Sequence, residues 1–392
     1  MSDKNAKKFI FISLLYPLPF VVIILGLLYI YDPFQIFHKP YFREDTFFTD
    51  MRKQALGIIK HYKFDSYIIG TSMLENTDSK EAANKLNSDG RWINISLSGS
   101  GFNERAVVLD YIFQNQNPKH IIYSLDGYYM VNRLNNSTLD WDFLYNNSLY
   151  DDIKIYMNWK FISCAVRFSN QEKCVGNIDD IYQITNWYKN YKEIFGGFDN
   201  WIKHKNNDQI NPMLINQAII GIKNGNIKNI DNQDIIGDID ILAQQDYLHK
   251  YLIRFFKDYP DTKFSIIIPT YSRLFYRMQN IETIYNDNSK FFYTWEKSLR
   301  YFITQSSSYK NVKVYGFDEL DYADDIANYR DLSHYNKDLN SIQLDAIKNQ
   351  TNILTPQNID KYLATVEQKI KSYDITPFIK ALENVEIEQI KQ

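Results

Sequence analysis

From Phe9 to Tyr31 the chain carries no charged residue. In hydrocarbon such a run has one open choice, a helix, because every N–H and C=O must be paired within the segment itself. Its length is sufficient to cross about 30 Å of hydrocarbon. Lys4, Lys7 and Lys8 precede the run and Asp32 follows it, so the positive-inside rule puts residues 1–8 in the cytoplasm and everything beyond residue 31 outside. A cleaved signal peptide is the alternative. Against it, the run is longer than an h-region, and Tyr31-Asp32-Pro33-Phe34 is too bulky for a cleavage site. The expectation is a single-pass protein of the cell membrane, with its N-terminus inside. Pro17 and Pro19 lie within the span and should kink or start its helix.

The remainder has the composition of a folded protein. Of 392 residues, 45% are hydrophobic and 23% charged, which allows a sizeable core. A formal net charge of -3 leaves no basic field, so nucleic acid is excluded as a partner on electrostatic grounds. Cys164 and Cys174 are the two cysteines; outside the cytoplasm they are free to pair across a short loop, the alternative being two unpaired thiols. Asn135-Asn136-Ser137 fits the glycosylation sequon and Asn147-Ser148-Leu149 does not, and asparagine is abundant enough for chance matches.

Residues 32–63, rich in aromatics and mixed charge, read as a membrane-proximal connector. From Phe64 a strand and helix alternation begins. Ser66 to Gly70, Trp92 to Leu97 and His120 to Asp126 are β-rich, while Ser79 to Leu86 and Asn103 to Gln114 have helical spacing. It returns later with helices around Gln245 to Phe256, Ser289 to Ile303 and Lys337 to Asn349, and strands at Phe264 to Ile268 and Val312 to Gly316. Such alternation predicts an α/β fold, a parallel sheet covered by helices. Residues 141–244 read as a mainly helical insertion whose Trp159, Trp187, Tyr188, Tyr191 and Trp201 either pack a core or stack on sugar rings. Residues 351–392 read as a helical extension, with Ile359, Leu363, Val366 and Ile370 on one face.

Two motifs carry chemistry. Ile68-Ile69-Gly70-Thr71-Ser72-Met73 ends the first apolar run on a serine, and Asp331-Leu332-Ser333-His334 sets a carboxylate three residues ahead of a histidine, after the last predicted strand. An Asp on the same loop fixes the tautomer of His334, whose other nitrogen takes the Ser72 proton. Ser72 by itself reads first as a turn or helix N-cap serine; the pairing is what points to catalysis. Gly99-Ser100-Gly101, after the second strand, is a turn whose amides can approach an oxyanion, and Asp126-Gly127 follows the third strand at the same sheet edge. No His, Asp and Glu cluster has metal-ligand spacing, so no metal or cofactor is expected. Pro269-Thr270-Tyr271-Ser272 reads as a rim loop, with Tyr271 or Arg273 as substrate contacts or as structure.

The order and spacing of these blocks, over roughly Phe64 to Asn349, resemble the SGNH hydrolase superfamily of GDSL-like esterases and lipases. The resemblance implies a three-layer α/β/α sandwich, flavodoxin-like, over 64–350. It implies Ser72 as nucleophile, His334 as base, Asp331 as its orienting group, and Gly99 with the Ser72 amide as oxyanion donors, beside Ser100 and Asp126. The family's third block ordinarily offers an Asn; here it reads Ser124-Leu125-Asp126-Gly127, and a carboxylate would repel an oxyanion unless protonated or turned away. With its one membrane helix the chain also resembles the anchored proteins of alginate and peptidoglycan O-acetylation and of teichoic acid D-alanylation. That implies an extracytoplasmic acyltransferase or esterase, a cell-surface glycan and an acyl donor as partners, and a neighbouring membrane-bound O-acyltransferase. The alternative is a catalytically weak scaffold that binds a polymer or that membrane partner.

Overall fold

The computed structural model describes residues 3–86, 90–132, 139–207, 213–227, 230, 239–278, 288–383 and 385. The Asn135 sequon and parts of the 141–244 and 351–392 stretches lie outside these. The chain forms two compact units: residues 1–63, 107–115 and 137–184 make one, and residues 64–106, 116–136 and 185–392 the other. The stretch read as one insertion is thus divided at Ile184.

The first unit begins with α1 (Asp3–Leu15) and α2 (Leu18–Tyr31). Pro17 has no N–H to donate, yet Tyr16 N–H reaches Ile12 and Val21 N–H reaches Pro17, so the helical path runs on across the break. Residues Lys7–Tyr31 are, among the described residues, the one helix long and apolar enough to cross a membrane. Asp32 then turns the chain. It adopts positive φ, and its buried carboxylate accepts the amides of Ile36, Phe37 and His38 and the Tyr156 hydroxyl. The expected connector is therefore packed structure. Its helix α3 (Met51–His61), N-capped by Asp50, lies so close to Phe34 that a β-carbon on Gly57 would meet the Phe34 carbonyl oxygen at 2.2 Å. Cys164 and Cys174 are joined by a disulfide. An apolar N-terminal helix and a disulfide together suggest the secretory pathway.

The second unit is an α/β structure on a six-stranded sheet, β1 (Ser66–Ile69), β2 (Trp92–Asn94), β3 (His120–Ser124), β4 (Lys263–Ile267), β5 (Val312–Tyr315) and β6 (Ile353–Leu354). The order is β2-β1-β3-β4-β5-β6. The first five strands are parallel, and β6 pairs antiparallel to β5. Buried runs such as Tyr67-Ile68-Ile69 lack alternation because a parallel sheet is covered on both faces. Ile68, Ile122, Ile267 and Tyr315 pack with Ala82 of α4 (Ser79–Lys85) and with Leu344 and Ile347 of the Lys337–Asn349 helix. The helix Asn288–Ser306 packs on β5 and on α6 (Gly127–Asn132). The predicted helix near 245–256 extends over Leu242–Leu248 and Arg254–Asp258, joined by a π-helical turn.

Ile353 and Leu354 fall within the stretch read as a helical extension, but they complete the sheet. A two-residue strand has no periodicity to detect. The helix Ile359–Ser372 that follows buries Ile359, Leu363, Val366 and Ile370, the face expected from their spacing.

Candidate active site

The strand order reverses direction between β1 and β3, the crevice in which open parallel sheets bind ligands. Ser72 sits at the carboxyl end of β1, on a turn closed by Leu74 N–H to the Thr71 carbonyl at 3.0 Å. Gly70 precedes it because nothing larger fits: a β-carbon there would lie 2.8 Å from Ser124 Oγ and 2.9 Å from Leu74. Leu97 N–H donates to the Gly70 carbonyl at 2.8 Å, which fastens the loop after β2 to this turn.

Ser72 Oγ lies 2.8 Å from His334 Nε2. His334 Nδ1 lies 2.9 and 2.8 Å from the two Asp331 oxygens. A proton on Nδ1 satisfies the carboxylate, and Nε2 is then the acceptor for the Ser72 hydroxyl. The three residues that the sequence placed in a triad are thus brought together across 262 residues of chain. The loop is held by its own backbone, since Asp331 Oδ1 also accepts the amides of Ser333 and His334 at 3.0 and 2.9 Å. Burial alone would push the Asp331 carboxyl up. The charges of His334 and of Arg330, whose Nε is 3.1 Å from Oδ2, outweigh it, and with the His334 hydrogen bonds they hold the carboxyl well below the usual range.

Asp126 does not face this triad. It is buried, its Oδ1 accepts from Thr71 Oγ1 at 2.7 Å, its Oδ2 accepts from Ser124 Oγ at 2.5 Å, and Arg105 Nη1 lies 3.4 Å away. Arg105 starts on α5 (Phe102–Asn115), donates to the Ser124 carbonyl at 2.6 Å, and lies between the rings of Phe102 and Tyr123. Turned inward and paired with Arg105, Asp126 braces the Ser72 turn through Thr71. Gly99 adopts positive φ of 63°, which glycine takes without cost. Among the described residues neither the Ser72 nor the Gly99 amide has a partner. The Ser100 amide is taken by the Leu97 carbonyl at 3.2 Å, and its hydroxyl is buried without a described partner.

Arg330 and Tyr129 escaped the sequence reading, and Trp187, read there as core packing or sugar stacking, was not placed beside Ser72 and His334. Trp187 donates its indole N–H to the Ser72 carbonyl at 2.9 Å and sets its ring edge-on to His334, 5.7 Å between centroids. The Arg330 guanidinium lies over Trp187 and Tyr191 at 4.7 and 4.3 Å. The Tyr129 hydroxyl lies 3.5 Å from where a Gly99 β-carbon would be, and burial pushes its pKa up, so it stays a donor. Arg330 had a legible signal, adjacency to Asp331; the other two had none beyond aromatic abundance. Trp201 is buried against Tyr329, and Trp159 belongs to the other unit. Tyr271 accepts the Tyr128 amide, and Arg273 is buried with Asp324, so both of these are structural.

Among the described residues no three His, Cys, Asp or Glu side chains are grouped to hold a metal. A lysine-lined cavity of about 540 Å³ opens at the amino ends of β3, β4 and β5, and no triad residue lines it. No family model matches the chain, and neither does any curated protein or solved structure.

Proposed function

We propose that this chain is an extracytoplasmic SGNH-type serine esterase or O-acyltransferase, acting on acyl esters of a cell-surface polysaccharide through an acyl-serine intermediate. The observation that carries the reading is the Ser72 to His334 distance of 2.8 Å, backed by the bidentate Asp331 contact. The order of the parallel strands, 2-1-3-4-5, is that of a flavodoxin-like three-layer sandwich and supports the same family. The apolar α2 and the disulfide support a membrane anchor with the second unit outside.

In this mechanism Ser72 Oγ bonds to the ester carbonyl carbon as its proton passes to His334 Nε2. The negative oxygen is received by the amides of Ser72 and Gly99 and by the Tyr129 hydroxyl, which stands in for the family's asparagine. Collapse breaks the ester C–O bond, and His334 returns the proton to the leaving alcohol. A second hydroxyl, of water in an esterase or of a glycan in a transferase, then gives its proton to His334 as its oxygen bonds to the acyl carbon; the Ser72 Oγ–carbon bond breaks, and His334 returns the proton to Ser72. Trp187, Tyr188 and Tyr191 form a wall near the triad with Arg330 over the first and third rings and Lys337 over the second, a mixed aromatic and cationic surface for a glycan. A membrane-bound O-acyltransferase is the acyl source in the transferase form.

The inward-turned Asp126 favours one rival, a scaffold that keeps the fold with weak chemistry. Intact mass of the full chain after exposure to a fluorophosphonate separates the two. One adduct on wild type, absent from Ser72→Ala and His334→Ala, supports the serine mechanism; no adduct on folded wild type sinks it in favour of the scaffold.

A further inference from the structure

The geometry points to an anionic phospholipid headgroup site on the first unit, set where α2 leaves the bilayer. It rests on reading α2 as membrane-spanning. The helix Trp159–Arg167 packs on α2. Tyr31 donates its hydroxyl to the Ser169 carbonyl and meets Phe168 edge-on. Leu28 is fully buried and Ile24 and Leu25 are half-buried, while Val21, Val22 and Ile23 are exposed. At about 1.5 Å per residue, Leu28 lies roughly 5 Å and Ile24 roughly 10 Å below the end of α2. A structure that covers those residues reaches down to the depth of the outer headgroups and the first acyl carbons.

The side chains suit that depth. The Trp159–Arg167 helix turns Phe161, Cys164 and Ala165 inward and Trp159 and Val166 outward, with Ile162 half-buried between them. Trp159 is 82% exposed, and at the other end of this helix Phe168 and Phe42, both exposed, touch edge-on. In water such a cluster is unfavourable, whereas at a bilayer surface it is the aromatic belt of an interfacial helix. A cavity of about 510 Å³ lies on the same side, lined by Trp159, Lys160, Arg167 and Lys173 and floored by the Cys164 to Cys174 disulfide. Glu172 is the acid beside it, and its carboxylate accepts from Asn177. Three cations around a concavity on the helix that packs against α2 match a lipid phosphate, with its acyl chains running along Trp159 and Val166.

The test uses the full chain in nanodiscs whose lipids carry bromine on the acyl chains, with Trp159 emission taken as wild type minus Trp159→Phe. We expect at least twofold quenching of that component. It should be stronger when the brominated lipid is a minority phosphatidylglycerol than when it is phosphatidylcholine, and 10 mM inorganic phosphate should not abolish the preference. Replacing Lys160, Arg167 and Lys173 with Ala should remove the preference and keep the melting temperature. An unquenched Trp159 beside a quenched Val22→Trp overturns the site and leaves the anchor standing; if neither is quenched, the anchor reading fails with it. Equal quenching by both lipids, or a preference that phosphate removes, overturns the headgroup assignment.

Discussion

The Tyr129 hydroxyl faces Gly99 with its proton retained by burial, at the edge where Asp126 has withdrawn its carboxylate into the Thr71, Ser124 and Arg105 network. Tyr129→Phe keeps the ring and deletes one donor. In the esterase assay it should lower kcat on the order of a hundredfold with KM nearly unchanged, the usual cost of one oxyanion donor. An unchanged kcat would leave stabilisation to the two amides alone. The triad itself was readable in the sequence because each part is local: a serine ending an apolar run, and a carboxylate three residues before a histidine. The inward turn of Asp126 was not, since it depends on Arg105, whose position on α5 is fixed by packing between Phe102 and Tyr123. The contact of Trp187 with Ser72 was hidden for another reason. The indole meets Ser72 from 115 residues away, inside a stretch without periodic pattern.

Docking of the Ile359–Ser372 helix beside β5 is titratable. Asp318, on the loop after β5, is fully buried and accepts the Tyr362 hydroxyl at 2.5 Å, while Arg273 donates to its carbonyl. Burial pushes its carboxyl up to about 6, against the Tyr362 hydrogen bond and the Arg273 charge. With the folded value above the unfolded one, the neutral carboxyl stabilises the fold in acid. That contribution, about 3 kcal/mol, is lost as pH rises from 4 through 6. Asp318→Asn should therefore match wild type in urea at pH 4 and exceed it at pH 7; a variant weaker at pH 7 would contradict the assignment. Elements with many apolar repeats, such as the Lys337–Asn349 helix, were placed by the sequence to within a residue or two. The short helices within 141–207 were not separable there, because each holds one or two turns and relies on tertiary packing for its stability.

Across the whole molecule, the first unit is stitched from separated stretches, and the Cys164 to Cys174 bridge closes a short loop within it. Replacing both cysteines with serine should lower that unit's stability by about 3 kcal/mol. Hydrogen exchange in α3 and in the 159–175 region should quicken, while the fluorophosphonate adduct at Ser72, in the other unit, should form at the wild-type rate. Loss of the adduct would mean that the two units do not unfold separately. The stitching was invisible in the sequence, since residues 32–63 and 137–184 have no shared pattern and meet through contacts such as Phe34 with Tyr156 and Lys60 with Asp152. It also sets a timetable for biogenesis. Ribosomes deliver α3 well before Tyr156 and Asp152 exist, and at about 5–20 residues per second the wait for Ile184 is on the order of ten seconds. For that interval Phe34, Met51, Leu56 and Ile58, all buried in the finished protein, stand uncovered. The newborn chain is thus a natural client for a chaperone.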